Sequence, residues 1–244
     1  MEMILILMLL FFLLILIFRG EENTLSEGWG NDVTEEVNGN EYEELNKYGY
    51  DKDIVHEFSN FLTTEECDYI INSASPNMKK SKVICEGGVY CDNKSSRTSS
   101  NTFISDNDPI INKISQRISE KVGIGSNHFE KLQVVHYKGG EQYKPHWDAC
   151  VGEGRCDNFV ANGGDRYATF ILYLNDDFEE GETEFPHLNI KIKPEKGKGV
   201  LFYNLDDDNI TYKKSSMHAG LPPKNGEKWM CNKWIRVGEY KERS

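Results

Sequence analysis

The chain has 244 residues and a formal net charge of −12, with 40 acidic residues against 28 lysines and arginines. This length is sufficient for one sizeable hydrophobic core in one or two domains. The acidic balance excludes a nucleic-acid backbone as the main partner, because phosphate binding requires a basic surface.

Residues 1–19 predict a membrane-targeting segment. Residues 3–18 are unbroken hydrocarbon, and a helix of this length reaches about 24 Å, which only a thin bilayer would accommodate. Glu2 replaces the basic leading region of a secretory signal, and no small-residue cleavage motif follows. We therefore expect a signal anchor in the endoplasmic reticulum membrane, with a cleaved signal peptide and a secreted chain as the alternative.

Residues 20–52 are acidic and poor in aliphatic side chains. Such a segment cannot bury enough apolar surface to fold by itself, which predicts a flexible linker. The folded domain is expected over residues 53–244.

The cysteines predict disulfides if the chain enters the secretory lumen. Two local pairs would each close a short loop, Cys85 with Cys91 and Cys150 with Cys156. The two cysteines left over would be free or paired with each other, Cys67 and Cys231. Six reduced thiols in a cytosolic protein is the alternative.

Two helices are predicted in the N-terminal part of the domain, after an extended segment over residues 54–61. Thr63 and Glu66 form a capping box before the first amphipathic stretch. In the second helix Asp108 is the cap and Pro109 occupies the first helical position. Four isoleucines at helical spacing then form a core-facing stripe: Ile110, Ile111, Ile114 and Ile118.

From Leu132 onward the sequence is typical of β-structure, with short β-branched and aromatic runs separated by Gly, Pro, Asn and Asp. The predicted strands cover residues 132–137, 168–174, 190–192, 199–203 and 229–237. Two helices followed by many strands favour an α+β fold, in which the helices pack outside a double-sheet β barrel.

Three residues have the character of metal ligands: His146, Asp148 and His218. On an extended strand His146 and Asp148 point to the same side, and His218 from a distant strand completes a set of two imidazoles and one carboxylate. Such a set leaves adjacent positions of the ion open, as non-haem Fe(II) oxygenases require. A chance surface pair or a zinc site with one open position is the alternative.

Several segments around these residues resemble the prolyl 4-hydroxylase family of Fe(II)/2-oxoglutarate-dependent dioxygenases, in order and in spacing. The resemblance covers residues 53–238 and is carried by these runs: LQVVHYKGGEQYKPHWD at 132–148, RYAT at 166–169, LYLN at 172–175, GETEFP at 181–186, LFYN at 201–204, MHAG at 217–220 and GEKW at 226–229. It implies a double-stranded β-helix (jelly-roll) core with flanking helices, and C4 hydroxylation of peptidyl proline. It also implies that O2 and 2-oxoglutarate are consumed, that succinate and CO2 are released, and that ascorbate acts as a reductant.

The resemblance also implies roles for particular residues. His146, Asp148 and His218 would hold Fe(II), and Lys228 would pair with the distal carboxylate of 2-oxoglutarate. Hydroxyl groups that donate hydrogen bonds to the same cosubstrate would come from two residues, Tyr143 and Thr169.

A peptide groove is the third implied feature, with Arg97, Tyr137 and Trp234 as its candidate residues. A proline ring suits an aromatic wall, and an extended peptide offers carbonyl groups to a guanidinium. For Tyr137 and Trp234 the alternative is packing within their strands. Trp147 points away from the two neighbouring ligands and is expected in the core.

The sequence is also compatible with two rival functions. The first is a 2-oxoglutarate oxygenase that acts on lysyl side chains or on a small molecule. The second is a non-catalytic jelly-roll binding module that contains a metal, against which Lys228 argues because a binder needs no dicarboxylate anchor.

Overall fold

The computed structural model describes the following parts of the chain: residues 51, 53, 55–84, 90–92, 95–151 and 156–241. They belong to one compact unit, Asn40–Ser244. The predicted membrane segment and nearly all of the predicted linker lie outside them. No helix within the described ranges is long and apolar enough to cross a membrane.

Three α-helices are present in the described residues: α1 (Thr64–Ala74), α2 (Pro109–Val122) and α3 (Asp157–Val160). The predicted capping box of α1 is confirmed, because Glu66 N donates to Thr63 Oγ1 at 3.2 Å and Thr63 N donates to Glu66 Oε2 at 3.0 Å. These reciprocal bonds satisfy backbone donors that the first turn of a helix leaves without partners.

Helix α2 also begins as predicted, with Asp108 Oδ1 accepting from the backbone N–H groups of Ile110 and Ile111. It ends at Gly123, whose φ of +77° is a left-handed conformation that favours glycine. Ile111, Ile114 and Ile118 are buried. Each such side chain contributes roughly 2 kcal/mol of burial free energy, so the stripe attaches the helix to the sheet.

The described residues form fifteen strands, all paired antiparallel. Their bounds are β1 His56–Phe58, β2 Lys79–Lys80, β3 Val83–Ile84, β4 Tyr90–Cys91, β5 Ser100–Ile104, β6 Leu132–Tyr137, β7 Tyr143–His146, β8 Arg166–Tyr173, β9 Glu179–Glu180, β10 Thr183–Phe185, β11 Ile190–Ile192, β12 Gly199–Tyr203, β13 His218–Gly220, β14 Pro223–Lys224 and β15 Lys228–Arg236. The predicted α+β pattern and the five predicted strands are therefore confirmed, with bounds that differ by no more than two residues at either end.

The strands form two principal sheets, as expected for a jelly roll. The larger has seven strands in the order β1-β12-β8-β15-β6-β5-β2, and the smaller has four in the order β11-β10-β13-β7. In the smaller sheet β13 pairs with β7 so that His218 lies opposite His146.

Alternation along the strands gives the large sheet an outer and an inner face, each with its own apolar cluster. The outer face packs against α1 and α2 through residues such as Val134, Phe170, Leu172, Leu201 and Cys231. The inner face joins the small sheet through a second set: Val135, Tyr137, Ile171, Tyr173, Val200, Phe202 and Met230, together with Phe185 of β10. The inner cluster is the interior of the barrel.

The cysteines follow the prediction where they can be followed. Cys150 and Cys156 form a disulfide with their Cα atoms 5.7 Å apart, and Cys91 is also disulfide-bonded. Its predicted partner Cys85 lies outside the described residues. Cys67 and Cys231 are buried free thiols, so the alternative in which they pair with each other is wrong.

Candidate metal centre and adjoining groove

The three predicted metal ligands meet at the edge of the barrel interior. Their nearest ligand atoms all lie within 4.8 Å of one another. Asp148 Oδ1 lies 3.8 Å from His146 Nε2, and Asp148 Oδ2 lies 3.7 Å from His218 Nε2. One correction concerns the backbone. Strand β7 ends at His146, and Asp148 lies in the bend that follows, where the N–H of Cys150 turns toward the Asp165 carboxylate.

Both histidine rings are oriented by backbone carbonyl groups. His146 Nδ1 lies 2.9 Å from the carbonyl oxygen of Lys144, and His218 Nδ1 lies 3.0 Å from that of Ser216. A carbonyl oxygen only accepts, so each Nδ1 carries the hydrogen and each Nε2 is directed at Asp148. Burial and the neighbouring His218 lower the pKa of His146 to about 3, which leaves its Nε2 lone pair available for a metal ion at neutral pH.

Asp148 is held ionised and in a fixed orientation. Burial raises its pKa, but His218, His146 and Arg166 act in the opposite direction and hold it at about 2. Thr169 Oγ1 donates to Asp148 Oδ2 at 2.7 Å and accepts from Asn204 Nδ2 at 2.9 Å.

This contact corrects the role predicted for Thr169. A hydroxyl group has a single hydrogen, and that of Thr169 is directed to Asp148 rather than toward a cosubstrate. Thr169 therefore orients a candidate metal ligand. Its side chain reaches Asp148 because Thr169 lies on the inner face of β8, between the metal ligands and the apolar interior.

Lys228 is fully buried in the barrel interior. Its Nζ donates to the carbonyl oxygen of Gly181 at 2.7 Å and lies 5.5 and 5.4 Å from the ring centres of Tyr137 and Tyr173. No carboxylate among the described residues forms an ion pair with it. Burial lowers its pKa to about 7, with the Glu182 charge acting weakly in the opposite direction.

Aromatic rings line the route between Lys228 and the metal ligands. The ring of His218 lies 4.8 Å from that of Phe202 and 5.7 Å from that of Phe185, both of which belong to the inner cluster. The ring of Tyr143 stacks on that of His146 at 3.5 Å. Burial raises the pKa of Tyr143, so its hydroxyl keeps a hydrogen to donate beside the metal ligands.

A cavity of about 470 Å³ opens beside this centre, with His146 and Asp148 in its wall. Arg97 and Trp234, both predicted for a peptide groove, also line it. Arg97 Cζ lies 4.6 Å from the ring centre of Tyr143. The indole N–H of Trp234 is buried and has no hydrogen-bond partner among the described residues.

Two aromatic predictions need correction. Tyr137, predicted for the groove, lies in the barrel interior beside Lys228, because alternation along β6 places it on the inner face with Val135. Packing within the sheet, the alternative, is what the structure has. Trp147, predicted in the core, is half-buried, lines the groove and packs edge-on against Tyr212 at 5.3 Å.

A charged network at the groove was not predicted from the sequence. The Glu130 carboxylate accepts from Arg166 and Arg236, with Nε–O distances of 2.7 and 2.8 Å, and the Arg166 guanidinium lies 3.4 Å from the ring centre of Trp234. Arg236 shares the inner face of β15 with Lys228, so alternation could have revealed it. Arg166 lies at a register shift between β8 and β15, so alternation along β8 does not predict to which face its side chain points.

Gln133 is a second omission. It lines the groove and accepts from Asn232 at 3.1 Å and from Arg97 at 3.4 Å. A polar residue in alternation with Val135 and Tyr137 marks the point where the inner face of β6 leaves the apolar interior, and the sequence contains that signal.

The donor set fits Fe(II) and 2-oxoglutarate. Two imidazoles and one carboxylate suit a ferrous ion better than the thiolate-rich sets of structural zinc sites. A buried ammonium that has one backbone acceptor and no paired carboxylate can accept a dicarboxylate, because an ion pair would offset the cost of its burial.

Comparisons with known proteins agree with this chemistry. Residues 132–236 match the family described as the 2OG-Fe(II) oxygenase superfamily. This span runs from the first residue of β6 to the last of β15 and contains His146, Asp148, His218 and Lys228. Fold and site together define the chain as a 2-oxoglutarate- and Fe(II)-dependent oxygenase.

Individual relatives narrow the assignment. The chain is 40% identical over 205 residues to Probable prolyl 4-hydroxylase 3 of Arabidopsis thaliana. This alignment covers 75% of the chain and 69% of the relative. The chain is 34% identical over 227 residues to Prolyl 4-hydroxylase 5 of the same organism, covering 85% and 75%.

The fold is similar to that of the viral collagen prolyl hydroxylase from Paramecium Bursaria Chlorella virus-1, whose crystal structure is a complex with 2OG. The two sequences are 32% identical, and the two structures superpose with a TM-score of 0.60. The match covers 75% of this chain and 96% of the viral one. The predicted jelly-roll fold is thereby confirmed. The chain belongs to the prolyl 4-hydroxylase family.

Proposed function

We propose that this protein hydroxylates proline residues in peptides or proteins to 4-hydroxyproline, using Fe(II), 2-oxoglutarate and O2. The observation that carries the proposal is the position of the two-histidine, one-carboxylate set. It lies between a buried lysine that has no paired carboxylate and an open groove lined by aromatic and hydrogen-bonding side chains. Relatives named prolyl 4-hydroxylase support the choice of proline.

His146 and His218 would bind the ion through Nε2, and Asp148 through a carboxylate oxygen. The bound ion and cosubstrate supply the oxidative chemistry, in which 2-oxoglutarate and O2 give succinate, CO2 and one oxygen atom for a substrate C–H bond. The backbone carbonyls behind both rings and the Thr169 hydroxyl behind Asp148 keep the three donors in place.

Lys228 would pair with the distal carboxylate of 2-oxoglutarate, which supplies the negative charge that its buried ammonium otherwise lacks. The Tyr143 hydroxyl would donate a hydrogen bond to the same cosubstrate from its position over His146. Phe185, Phe202 and the other rings of the inner cluster exclude water from the space between the two ends of the cosubstrate.

The groove suits an extended, proline-containing peptide. Trp234 and Tyr143 provide aromatic surfaces for pyrrolidine rings, and polyproline-type segments dock on such surfaces at low entropic cost. The Arg97 guanidinium can donate to the carbonyl groups that such a peptide exposes.

The test is turnover by the full-length protein supplied with Fe(II), 2-oxoglutarate, O2 and ascorbate. We expect succinate release that a proline-containing peptide stimulates, and a single-oxygen mass gain on proline that amino-acid analysis identifies as the 4-hydroxy isomer. The control peptide has alanine in place of proline, and the control protein is His218→Ala. Turnover that only a lysine-containing peptide or a small molecule stimulates would contradict the proposal, and so would no turnover at all.

Ascorbate belongs to the same proposal. It would return the iron to the ferrous state after turnovers that are not coupled to hydroxylation. We expect omission of ascorbate to shorten the linear phase of product formation, with less effect on the initial rate.

We infer further that the protein resides in the lumen of the endoplasmic reticulum, held by residues 1–19, or is secreted if that segment is cleaved. The Cys150–Cys156 disulfide supports an oxidising compartment. Asn209, Ile210 and Thr211 form a glycosylation sequon in the segment between β12 and β13, and this sequon offers a test. We expect a glycosidase-sensitive mass that Asn209→Gln reduces, whereas a cytosolic protein would carry no glycan.

A further inference from the structure

The groove carries a local charge opposite to that of the whole chain. Among the described residues, and besides the metal ligands, it is lined by one carboxylate, that of Glu130, and by four cations: Lys82, Arg97, Lys131 and Arg166. The net charge of −12 resides mostly elsewhere. At physiological ionic strength charges more than about 8 Å away are largely screened, so a bound peptide responds mainly to the groove.

The Glu130 carboxylate is already matched by two guanidinium groups. Glu130 accepts from Arg166 at 2.7 and 3.0 Å and from Arg236 at 2.8 Å, and burial of the ion pairs fixes this arrangement. Glu130 therefore offers no negative charge to the other cations of the groove.

The catalytic centre offers none either when it is loaded. The two positive charges of Fe(II) and the charge of Lys228 balance the charge of Asp148 and the two charges of 2-oxoglutarate. The electrostatic character of the peptide site is then set by the cations outside the centre.

Two of these cations have no anionic partner among the described residues. Arg97 is only 8% exposed, and its contacts are neutral: Ser99 Oγ at 3.2 Å, Gln133 Oε1 at 3.4 Å and the Tyr143 ring. A buried guanidinium without a counter-charge is costly, and a ligand carboxylate would offset that cost. Lys82 is exposed and makes no ion pair with any described carboxylate.

The sheet places these two cations on the same wall of the groove. Lys80 pairs with Ser100, and the N–H of Ser81 donates to the carbonyl of Ser99 at 3.0 Å. This antiparallel register brings Lys82 opposite Thr98, the neighbour of Arg97 in the chain, and both Lys82 and Arg97 line the groove.

We infer that this enzyme prefers peptides with an aspartate or glutamate a few residues from the target proline, and that Lys82 is the residue that recognises this carboxylate. The inference rests on the proposed function and adds a substrate class to it. Arg97 raises the positive potential at the same wall, because a peptide carbonyl can accept a hydrogen bond from it but cannot neutralise its charge. A basic peptide would meet like charge there, which provides discrimination as well as attraction.

The experiment uses the full-length protein with Fe(II), 2-oxoglutarate and ascorbate, and sets of three peptides that differ at one position. Each set places Glu, Gln or Lys at a chosen distance before or after one proline, and proline oxidation is measured by mass. At the preferred position we expect kcat/KM to fall about fivefold from Glu to Gln and again from Gln to Lys, mainly through KM. Added salt should compress both differences.

The variant Lys82→Glu should reverse the order, so that the Lys peptide becomes the best of its set. The matched control is Lys113→Glu, which makes the same charge change at an exposed position of α2 and should keep the order of the parent protein.

Equal kcat/KM for the three peptides at every position would overturn the inference and leave the proposed function intact. An order that Lys82→Glu does not alter would overturn the role of Lys82. If no peptide gains oxygen on proline, the proposed function itself fails.

Discussion

Two lysines of one strand, Lys228 and Lys233, are buried on opposite faces of the large sheet, and their surroundings differ sharply. Both are fully inaccessible. On the outer face Lys233 Nζ lies 2.8 and 2.7 Å from the two carboxylate oxygens of Asp106, one of which also accepts from Ser115 at 2.6 Å. On the inner face Lys228 has the Gly181 carbonyl at 2.7 Å and no ion-paired carboxylate.

Burial lowers the pKa of both lysines. For Lys233 the charge and hydrogen bonds of Asp106 partly offset this effect, whereas on Lys228 only the charge of Glu182 acts in that direction. A buried charge that the protein itself neutralises serves stability. A buried charge without a counterion favours the binding of a ligand of opposite charge, because the new ion pair offsets the cost of burying that charge. The two faces of β15 therefore differ in role: Lys233 on the outer face serves stability, and Lys228 on the inner face serves ligand binding.

The sharpest test of this comparison is Lys228→Met, which keeps an apolar stem in the interior and removes the charge. Loss of one partner from a buried charged pair costs about 3–5 kcal/mol. We therefore expect the dissociation constant for 2-oxoglutarate to rise by a factor between about a hundred and a few thousand. Isothermal titration under anaerobic conditions measures it, and the affinity for Fe(II) should stay the same.

The cosubstrate-free form of this variant should be as stable as the parent or more stable, because an unmatched buried cation has gone. Added 2-oxoglutarate should raise the melting temperature of the parent but not of the variant. An unchanged dissociation constant would remove Lys228 from the cosubstrate site.

The complementary variant is Lys233→Met on the outer face. It leaves Asp106 without its partner, although that side chain is 31% exposed and keeps its bond from Ser115. Solvent screening reduces the cost to about 2 kcal/mol, or roughly thirtyfold in the unfolding constant. Urea titration measures it, with Lys113→Met as the exposed control. A large change in 2-oxoglutarate affinity would show that the two faces are not independent.

Thr169→Val tests whether a position on the inner face implies a role in cosubstrate binding. The substitution preserves shape and removes the hydroxyl that donates to Asp148. Loss of such a supporting bond should weaken metal binding about tenfold, while the dissociation constant for 2-oxoglutarate at saturating metal changes little. Thr169→Ser should restore metal affinity. Unchanged metal affinity together with weaker binding of 2-oxoglutarate would show that Thr169 contacts the cosubstrate instead.

Much of the fold was predictable because its signals are local. The caps of α1 and α2 use neighbouring residues, and the long strands alternate over their whole length. Strands β7 and β13 are different, since Pro145 in one and Gly220 in the other are poor strand formers. The metal-binding strands were expected from ligand spacing and family resemblance, and in the structure they pair with each other so that His146 lies opposite His218.

The site was predictable in its residue types and less so in its geometry. The ligands and Lys228 have a chemistry that few structural roles require, so they stand out in a sequence. Tyr137 and Thr169 do not stand out in this way. Whether the ring of Tyr137 reaches the groove or the interior, and whether the Thr169 hydroxyl reaches Asp148, depends on how deep each residue lies in the barrel. The pairing of Glu130 with Arg166 and Arg236 depends on a register shift that no local pattern reveals.

The finest test concerns pH, because Lys228 has a pKa of about 7 instead of its ordinary value of 10.5. The unfolded chain binds this proton more tightly than the folded one, so the contribution of Lys228 to stability is least favourable below pH 7 and improves as the pH rises. Cosubstrate binding has the opposite slope. A dicarboxylate requires the ammonium form, so binding above pH 7 takes up roughly one proton, and the dissociation constant should rise about tenfold per pH unit.

Calorimetry in buffers of different ionisation enthalpy measures that proton uptake directly. Lys228→Arg keeps its charge throughout this range and should bind 2-oxoglutarate without the slope. Lys233→Met should keep the slope of the parent protein, because Lys233 is matched by Asp106 and lies on the other face. If Lys228→Met shows the same slope as the parent, the titrating group is another residue, and the contrast between the two lysines does not extend to cosubstrate binding.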